Sequence, residues 1–427
     1  MEYLLFGGYL IFFAWLVTKT RFFQKSGLSN AQLIILFLLK VMAGILYGWI
    51  GIYYGQFAYM FDTWGYHHAS IVEYKLLFHN PSEYITNLFQ SGYENKFGGF
   101  FDSSNSWWND LKANMFIKLL SIFNIFSFGN YYVNVIFYSF LTLFGPIAFY
   151  RVMKDIFPGK KIQIIFATFL IPSFLYWTSG IHKDGLVFMA TSLVMFNFYF
   201  ALKEQHFSRK RIFIIAISLL IILSFRNFIL ILLLPALIAW YYSYKFSKNG
   251  IIIFASVYLL FTFFFFSAKY ISPDLDFPQA VVNKQQAFKQ LQGNSGIKLS
   301  ELKPTPLSFL LNSPRALETT TLRPYPGDVK HLLSLAAATE TILLLLLFLC
   351  FLIWRTNGVR SKQFIWFCIF FSFSFLLTIG YTVSFLGAIV RYRSIIIPFL
   401  MTPVVCSTDW EKVYRIFMNN IKKYNNV

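Results

Sequence analysis

Long apolar runs, repeated from one end of the chain to the other, restrict it to one kind of fold. A run of about 20 apolar residues spans a bilayer as a helix. Within lipid, only helices and closed barrels satisfy their own backbone. Eleven runs are read, at roughly 3–18, 31–54, 130–150, 162–178, 185–202, 212–225, 227–244, 251–268, 331–354, 363–385 and 394–407. The sixth is short, and its break from the seventh falls at Ser224-Phe-Arg-Asn227. Only 13% of residues are charged, against roughly 25% in soluble domains. The expected fold is an all-α polytopic membrane protein with about 11 transmembrane helices, forming a single membrane domain over 1–427.

Basic residues orient this map, because cytoplasmic loops are enriched in Lys and Arg. With the amino terminus outside, the inner segments are 19–30, 151–161, 203–211, 245–248, 355–362 and 409–427. They hold 20 Lys/Arg and four acids, whereas the outer segments hold 16 Lys/Arg and 13 acids. Most of the net charge of +19 is therefore a topology signal rather than a nucleic-acid footprint, and no nucleic-acid partner is expected. The expected location is a bacterial inner (cytoplasmic) membrane, multi-pass, with the carboxyl terminus cytoplasmic. No cleavable signal peptide is expected, since Glu2 precedes the first run and no basic n-region does. Cys350, Cys368 and Cys406 lie in apolar runs without metal-ligand spacing.

Two outer loops are long. The first, 55–129, predicts helices from Asp62 to Leu77, from Pro81 to Leu88 and from Trp107 to Phe126. In the last of these, Trp108, Met115, Leu119, Ile122 and Phe126 share a face opposite Asp110, Asn114, Ser121 and Asn124, the pattern of an interfacial helix. The second, 269–330, is rich in proline and reads as an irregular cap or a lid over the outer side.

Short outer connectors should be neutral by topology, yet they carry Ser179-Gly-Ile-His-Lys-Asp-Gly185, Arg226-Asn227 and Arg391-Tyr-Arg393. Thr321-Leu-Arg-Pro-Tyr-Pro-Gly327 ends the second long loop. A Lys or Arg at the bilayer centre costs roughly 2.5–3.5 kcal/mol on insertion scales. Near a helix end it snorkels more cheaply, so each residue alone reads as an interfacial anchor. Together, Asp62, His182, Lys183, Asp184, Arg226, Arg323, Arg391 and Arg393 can form one site for an anion, with Arg forks matching phosphate oxygens and Lys adding a point charge.

Asp62 is the candidate base, just beyond the second run, where partial desolvation tunes a carboxylate. Its bland role is to cap a helix starting at Thr63. Tyr66 shares its helical face, while His67 and His68 point about 100° apart. Those two share a metal with Asp62 only if the helix unwinds there. A divalent metal on Asp62 with His67 or His68 stays open as an alternative; otherwise no cofactor is expected. His182-Lys183-Asp184 is either a polar hairpin with Asp184 capping the fifth run or a phosphate- and sugar-binding turn. Arg226 snorkels or pairs with Asp184 or Asp62. Glu340 lies inside the ninth run and needs a protein donor, and Lys40 is expected to snorkel towards the cytoplasm.

The stretches Asp62-Thr-Trp-Gly-Tyr66-His-His-Ala69, Pro172-Ser-Phe-Leu-Tyr-Trp-Thr-Ser-Gly-Ile-His-Lys-Asp-Gly185, Arg323-Pro-Tyr-Pro326 and Arg391-Tyr-Arg-Ser-Ile-Ile-Ile-Pro398 resemble the GT-C superfamily of integral-membrane glycosyltransferases. The resemblance implies a polyprenyl-phosphate-linked sugar as donor and a cell-surface glycan or lipid as acceptor. It implies Asp62 as the base that deprotonates the acceptor. The leaving phosphate would be held by Lys183, Arg226, Arg391 and Arg393, with Tyr66, His67, His68, His182, Asp184, Arg323, Tyr325 and Tyr392 lining the site. The chain departs from the superfamily in having an extra run before the acidic loop and no second acid after Asp62. Two other functions are weighed. An O-antigen-polymerase or ligase-like enzyme would place its basic site in loop 269–330. A transporter of an anionic lipid-linked saccharide would favour midplane charges and broken helices. No phosphate-cradling G-x-x-x-x-G-K-[ST], dinucleotide G-x-G-x-x-G, zinc H-E-x-x-H or nucleophile-elbow G-x-S-x-G motif occurs.

Overall fold

Proline follows the break in each of the two bent helix pairs that lead to the site. The run expected near 162–178 is two helices, Lys161–Phe169 and Pro172–Ser179, bent by 53°. Pro172 occupies the first turn of the second helix, where its missing N–H is not needed. It biases Ile171 away from the α region, and Ile171 is extended at ψ 120°. A second bent pair, Leu386–Ser394 and Ile397–Cys406, turns by 61°, with Pro398 in the first turn of its second helix. What was read as an outer connector around Arg391 is thus itself helical.

The computed structural model describes residues 2–53, 61–92, 106–246, 249–291, 293, 295–356, 358 and 361–416. Among them, regular structure is helical, with two isolated β-bridges, Gly296 to Phe385 and Arg355 to Thr408. Eight helices are long and apolar enough to cross a membrane: Glu2–Lys19, Asn30–Tyr53, Tyr131–Ile156, Lys183–Lys203, Arg209–Phe246, Gly250–Tyr270, Leu332–Ile353 and Lys362–Thr382. Counting each bent pair as one crossing gives ten.

The sixth and seventh expected runs are joined in Arg209–Phe246, where Arg226 alone leaves the helical region, at φ −147° and ψ 69°. Contacts follow the chain through that point. Arg211 donates to the Phe200 carbonyl at 3.5 Å, and Arg226 reaches Asp184 at the opposite end of Lys183–Lys203. Trp240 then lies back against Phe198 and Tyr199, with ring centroids at 5.3 and 6.2 Å. The chain therefore runs antiparallel to Lys183–Lys203 before Arg226 and alongside it afterwards.

The basic segments meet at the end of the bundle away from Arg226. Lys203 pairs with Asp155 at 2.6 Å, Arg211 with Glu204 at 2.7 Å, and Lys154 donates to the Ser26 carbonyl at 2.9 Å. At the other end lie Phe61–His79, Pro81–Thr86 and Trp107–Ser127, close to the expected helices. Trp107–Ser127 turns its expected polar side inward. Ser121 and Asn124 are buried, and Asn124 donates to Ser70 at 2.9 Å, while Met115, Ile122 and Phe126 are exposed. Polar-in and apolar-out suits a helix lying in a lipid interface. Loop 269–330 contains the helices Phe277–Gln290 and Pro306–Thr321, each with a proline in its first turn. Gln285 donates to the Tyr381 carbonyl at 2.8 Å and Tyr381 to the Phe309 carbonyl at 2.9 Å, fastening this cap to Lys362–Thr382.

The half-helix Pro172–Ser179 is held by opposite charges at its ends. Glu340 accepts from the Ser173 N–H at 2.5 Å, finding the donor it needs. Lys40 does not snorkel: it is buried and donates to the Thr178 carbonyl at 2.8 Å and the Ser179 hydroxyl at 3.3 Å. An acid at a helix N-terminus and a cation at its C-terminus both complement the helix dipole. Small residues allow this close approach, as is common between helices in lipid. A Cβ on Gly44 would lie 2.7 Å from the Ser179 carbonyl oxygen and 2.6 Å from Val135. Gly44→Ala is expected to cost about 1–3 kcal/mol by overpacking, read as a lower unfolding midpoint in detergent. Gly7→Ala, with nothing within 4 Å of its Cβ, should leave the midpoint level or slightly raised, since alanine is the better helix former. Equal midpoints for the two variants would remove the close-packing argument.

Candidate functional site

Asp184 lies in the first turn of Lys183–Lys203, where a carboxylate is favoured by the helix dipole. It is fully buried, so its charge requires partners. Its Oδ1 accepts from Arg226 Nη2 at 2.9 Å and its Oδ2 from Arg391 Nε at 2.7 Å. His182 Nδ1 stands 3.3 Å from the same Oδ2. Arg226 comes from the helical break, and Arg391 from the last turn of Leu386–Ser394. Of the pairings left open for Arg226, the structure has the one with Asp184. The Arg226 guanidinium lies 4.5 Å from the Tyr392 ring centroid, and its Nε is buried without a hydrogen-bond partner.

Asp62 completes the cluster from the other side. Its Oδ2 is 3.2 Å from Arg391 Nη1 and 3.5 Å from His182 Nε2, yet its side chain is 56% exposed. The helix carrying it starts at Phe61, so Asp62 sits in the first turn rather than at the cap. Trp64 fastens that helix by donating to the Gly48 carbonyl at 2.9 Å and stacking on Tyr131 at 4.1 Å. Thr63 bonds the Tyr131 hydroxyl at 2.8 Å. The His182 hydrogen bond, followed by the His182 and Arg391 charges, outweighs burial and holds the Asp62 carboxyl well below the usual range. Such a group stays ionised at neutral pH and is a weak base.

Above this pair the surroundings turn positive. Lys183 Nζ lies 5.1 Å from the Tyr66 ring centroid, and Tyr66 meets the His182 ring edge-on at 5.9 Å. Lys112, from Trp107–Ser127, is pushed down to about 8 by burial and by the charges of Lys284 and Arg226. Neither Lys112 nor Lys284 was singled out from the sequence. Lys112 carried a signal, because it falls between Trp108 and Met115 on the apolar stripe of its own helix. Lys284 carried none, being one of several lysines in a polar loop.

Other candidates lie apart. Arg393 is buried and donates to the carbonyls of Thr320 and Arg323 at 3.1 and 2.6 Å and to Thr341 at 2.6 Å, tying the cap to Leu332–Ile353. Two positions from Arg391 on a helix, it points about 200° away. Arg323 pairs with Asp328 at 3.8 Å, and Tyr325 donates to Glu318 at 2.7 Å. His67 is buried against Trp64 and Tyr131, and burial pushes it down to about 4, so it is neutral at pH 7. His68 is exposed. No group of three metal-ligating residues occurs among the described residues.

The fold is that of a multi-pass helical membrane protein, with a buried ion cluster at the end of the bundle away from its basic segments. Comparisons with protein-family models, curated proteins and solved structures return no match to this chain.

The two carboxylates differ in how they are held, and substitution separates them. Asp184→Asn leaves buried Arg226 without a carboxylate and Arg391 with Asp62 alone, a loss expected to cost about 3–5 kcal/mol and to lower the unfolding midpoint steeply. Asp62→Asn, at an exposed position, should barely move it. Equal effects in a thermal-unfolding series would contradict the assigned roles.

Proposed function

We propose that the chain is a membrane glycosyltransferase that moves a sugar from a polyprenyl-phosphate-linked donor to a cell-surface glycan or lipid acceptor at the outer face of a bacterial cytoplasmic membrane. The observation that carries this reading is the convergence of Arg226, Arg391 and Lys183 with Asp62, the one partly exposed carboxylate of the cluster. In the proposed reaction, Asp62 takes the proton of an acceptor hydroxyl and the hydroxyl oxygen bonds to the anomeric carbon. The bond from that carbon to the phosphate oxygen breaks. Negative charge gathers on the leaving phosphate, where fixed cations act most strongly on the transition state. The donor's phosphate would reach the cluster at headgroup depth while its lipid tail stays in the bilayer. A divalent metal is not needed for this scheme, since the cations supply the charge.

The proposed topology has eleven crossings. It counts each bent pair once and splits Arg209–Phe246 at Arg226, with the amino terminus outside. Gathering of the basic segments at the end of the bundle away from the cluster supports placing that end on the cytoplasmic side by the positive-inside bias.

A second reading is favoured by one specific observation. Both bent helix pairs contribute ends to the cluster, Ser179 leading into His182 and Leu386–Ser394 carrying Arg391. Broken helices at a binding site are a habit of transporters, so an anionic lipid-linked saccharide would then be carried rather than cleaved. Proteoliposomes separate the two, because transfer releases the polyprenyl phosphate and transport does not.

For the transferase, Lys183→Gln is expected to lower kcat/KM for the donor by about 100–1000-fold, the range for losing one transition-state contact. Asp62→Asn should abolish turnover. Lys112 loses its charge as pH rises through about 8, so donor affinity should be lower above that pH than at neutral pH. Wild-type turnover and donor KM in Lys183→Gln would end this reading.

A further inference from the structure

Arg391 is shared by two carboxylates on unequal terms. Its Nε is committed to Asp184, which is fully buried and also held by Arg226 and His182. Its Nη1 meets Asp62, whose side chain is 56% exposed and sits at the start of a helix outside the spans. Moving Asp184 away would leave Arg226 without a carboxylate and Arg391 with Asp62 alone. Moving Asp62 away returns a carboxylate to water, where it is well solvated.

Carboxylate and phosphate oxygens bind a guanidinium with the same in-plane geometry. The face of Arg391 that Asp62 occupies is therefore a face a phosphate can take. Lys183 stands beside the cluster, half-buried over Tyr66. The cluster has further positive charge to offer an anion once Asp62 leaves.

We propose that Asp62 is a built-in competitor for the phosphate group of the ligand: its carboxylate occupies the outer nitrogen of Arg391, and a bound phosphate displaces it. This rests on the transferase reading only for its consequence, which answers a difficulty in that reading. A carboxylate held low by His182 and Arg391 is a poor general base, because base strength is best matched near the working pH. Displacement removes one of the two partners that hold it low. Asp62 then becomes more basic only when a donor phosphate is in place. Deprotonation of the acceptor is thereby tied to the presence of the leaving group, which guards against idle reaction.

The test uses the full chain in phosphatidylcholine nanodiscs, with inorganic pyrophosphate as the probe and calorimetry as the readout. Asp62→Asn removes the competing charge at nearly constant shape, and Asp62→Ala serves as the second variant. Both are expected to bind pyrophosphate about three- to tenfold more tightly than the wild type, the fold-change that the net worth of one ordinary hydrogen bond gives. Lys183→Gln should bind it more weakly. Nanodiscs that also hold polyprenyl monophosphate distinguish the source of the phosphate. Weaker apparent pyrophosphate binding there marks a lipid-borne ligand, and unchanged binding marks a free one; either way Asp62 must compete. Equal or weaker binding by both Asp62 variants, with Lys183→Gln still impaired, overturns the competition and leaves the phosphate site standing. No binding by any form overturns the phosphate site and the competition with it. Tighter binding by the variants without any sugar transfer by the wild type supports the competition and removes the transferase.

Discussion

A single carboxylate buried between two arginines determines how this end of the bundle can be built. Asp184 has no exposure, and its charge is stabilised only because Arg226 and Arg391 arrive from two other segments. Each of those segments must be interrupted to deliver its arginine. Arg226 stands at the one non-helical residue of Arg209–Phe246, and Arg391 ends the short first helix of a bent pair. An uninterrupted helix would carry either side chain past the turn that presents Asp184. The broken helices and the ion cluster are two aspects of one constraint, in which backbone irregularity at membrane depth is tolerated where protein surrounds it.

The same logic extends outward. The turn presenting His182 and Asp184 follows a half-helix whose dipole ends are met by Glu340 and Lys40. These two charges lie inside apolar helices and touch none of the cluster's ion pairs. Their effect on the site passes through the position of Ser179. Arg393 plays a comparable part on the far side of Leu386–Ser394, where it gathers carbonyls from the cap. Charge that is expensive in lipid thus appears twice, once in the buried ion cluster and once in the framework that positions it.

The sequence made the architecture legible because its period is long and its composition extreme. Apolar runs of spanning length and basic residues on alternate connectors need no knowledge of tertiary structure. His182, Asp184, Arg226 and Arg391 were legible for a related reason: charges in connectors expected to be short and neutral contradict the topology that surrounds them, while Asp62 stood out as a carboxylate just beyond the second run. Arg393 shared that signal yet faces away, because the stretch read as a connector is helical and two positions on a helix diverge. Lys40 was misread because a snorkelling lysine and one capping a half-helix look alike until the break at Leu170 and Ile171 is known. Lys112 was visible as a cation on an apolar stripe. Lys284 depends on how the cap folds over the bundle, which no local pattern encodes.

The most direct test of this account is a cryo-EM map of the full chain in nanodiscs holding a polyprenyl-phosphate-linked sugar. The account predicts phosphate density within hydrogen-bonding distance of Arg391 and Lys183, with the Asp62 carboxylate withdrawn from Arg391 towards the acceptor side. Phosphate density beside Arg323 in the cap, or Asp62 still paired with Arg391 beneath a bound donor, would contradict it.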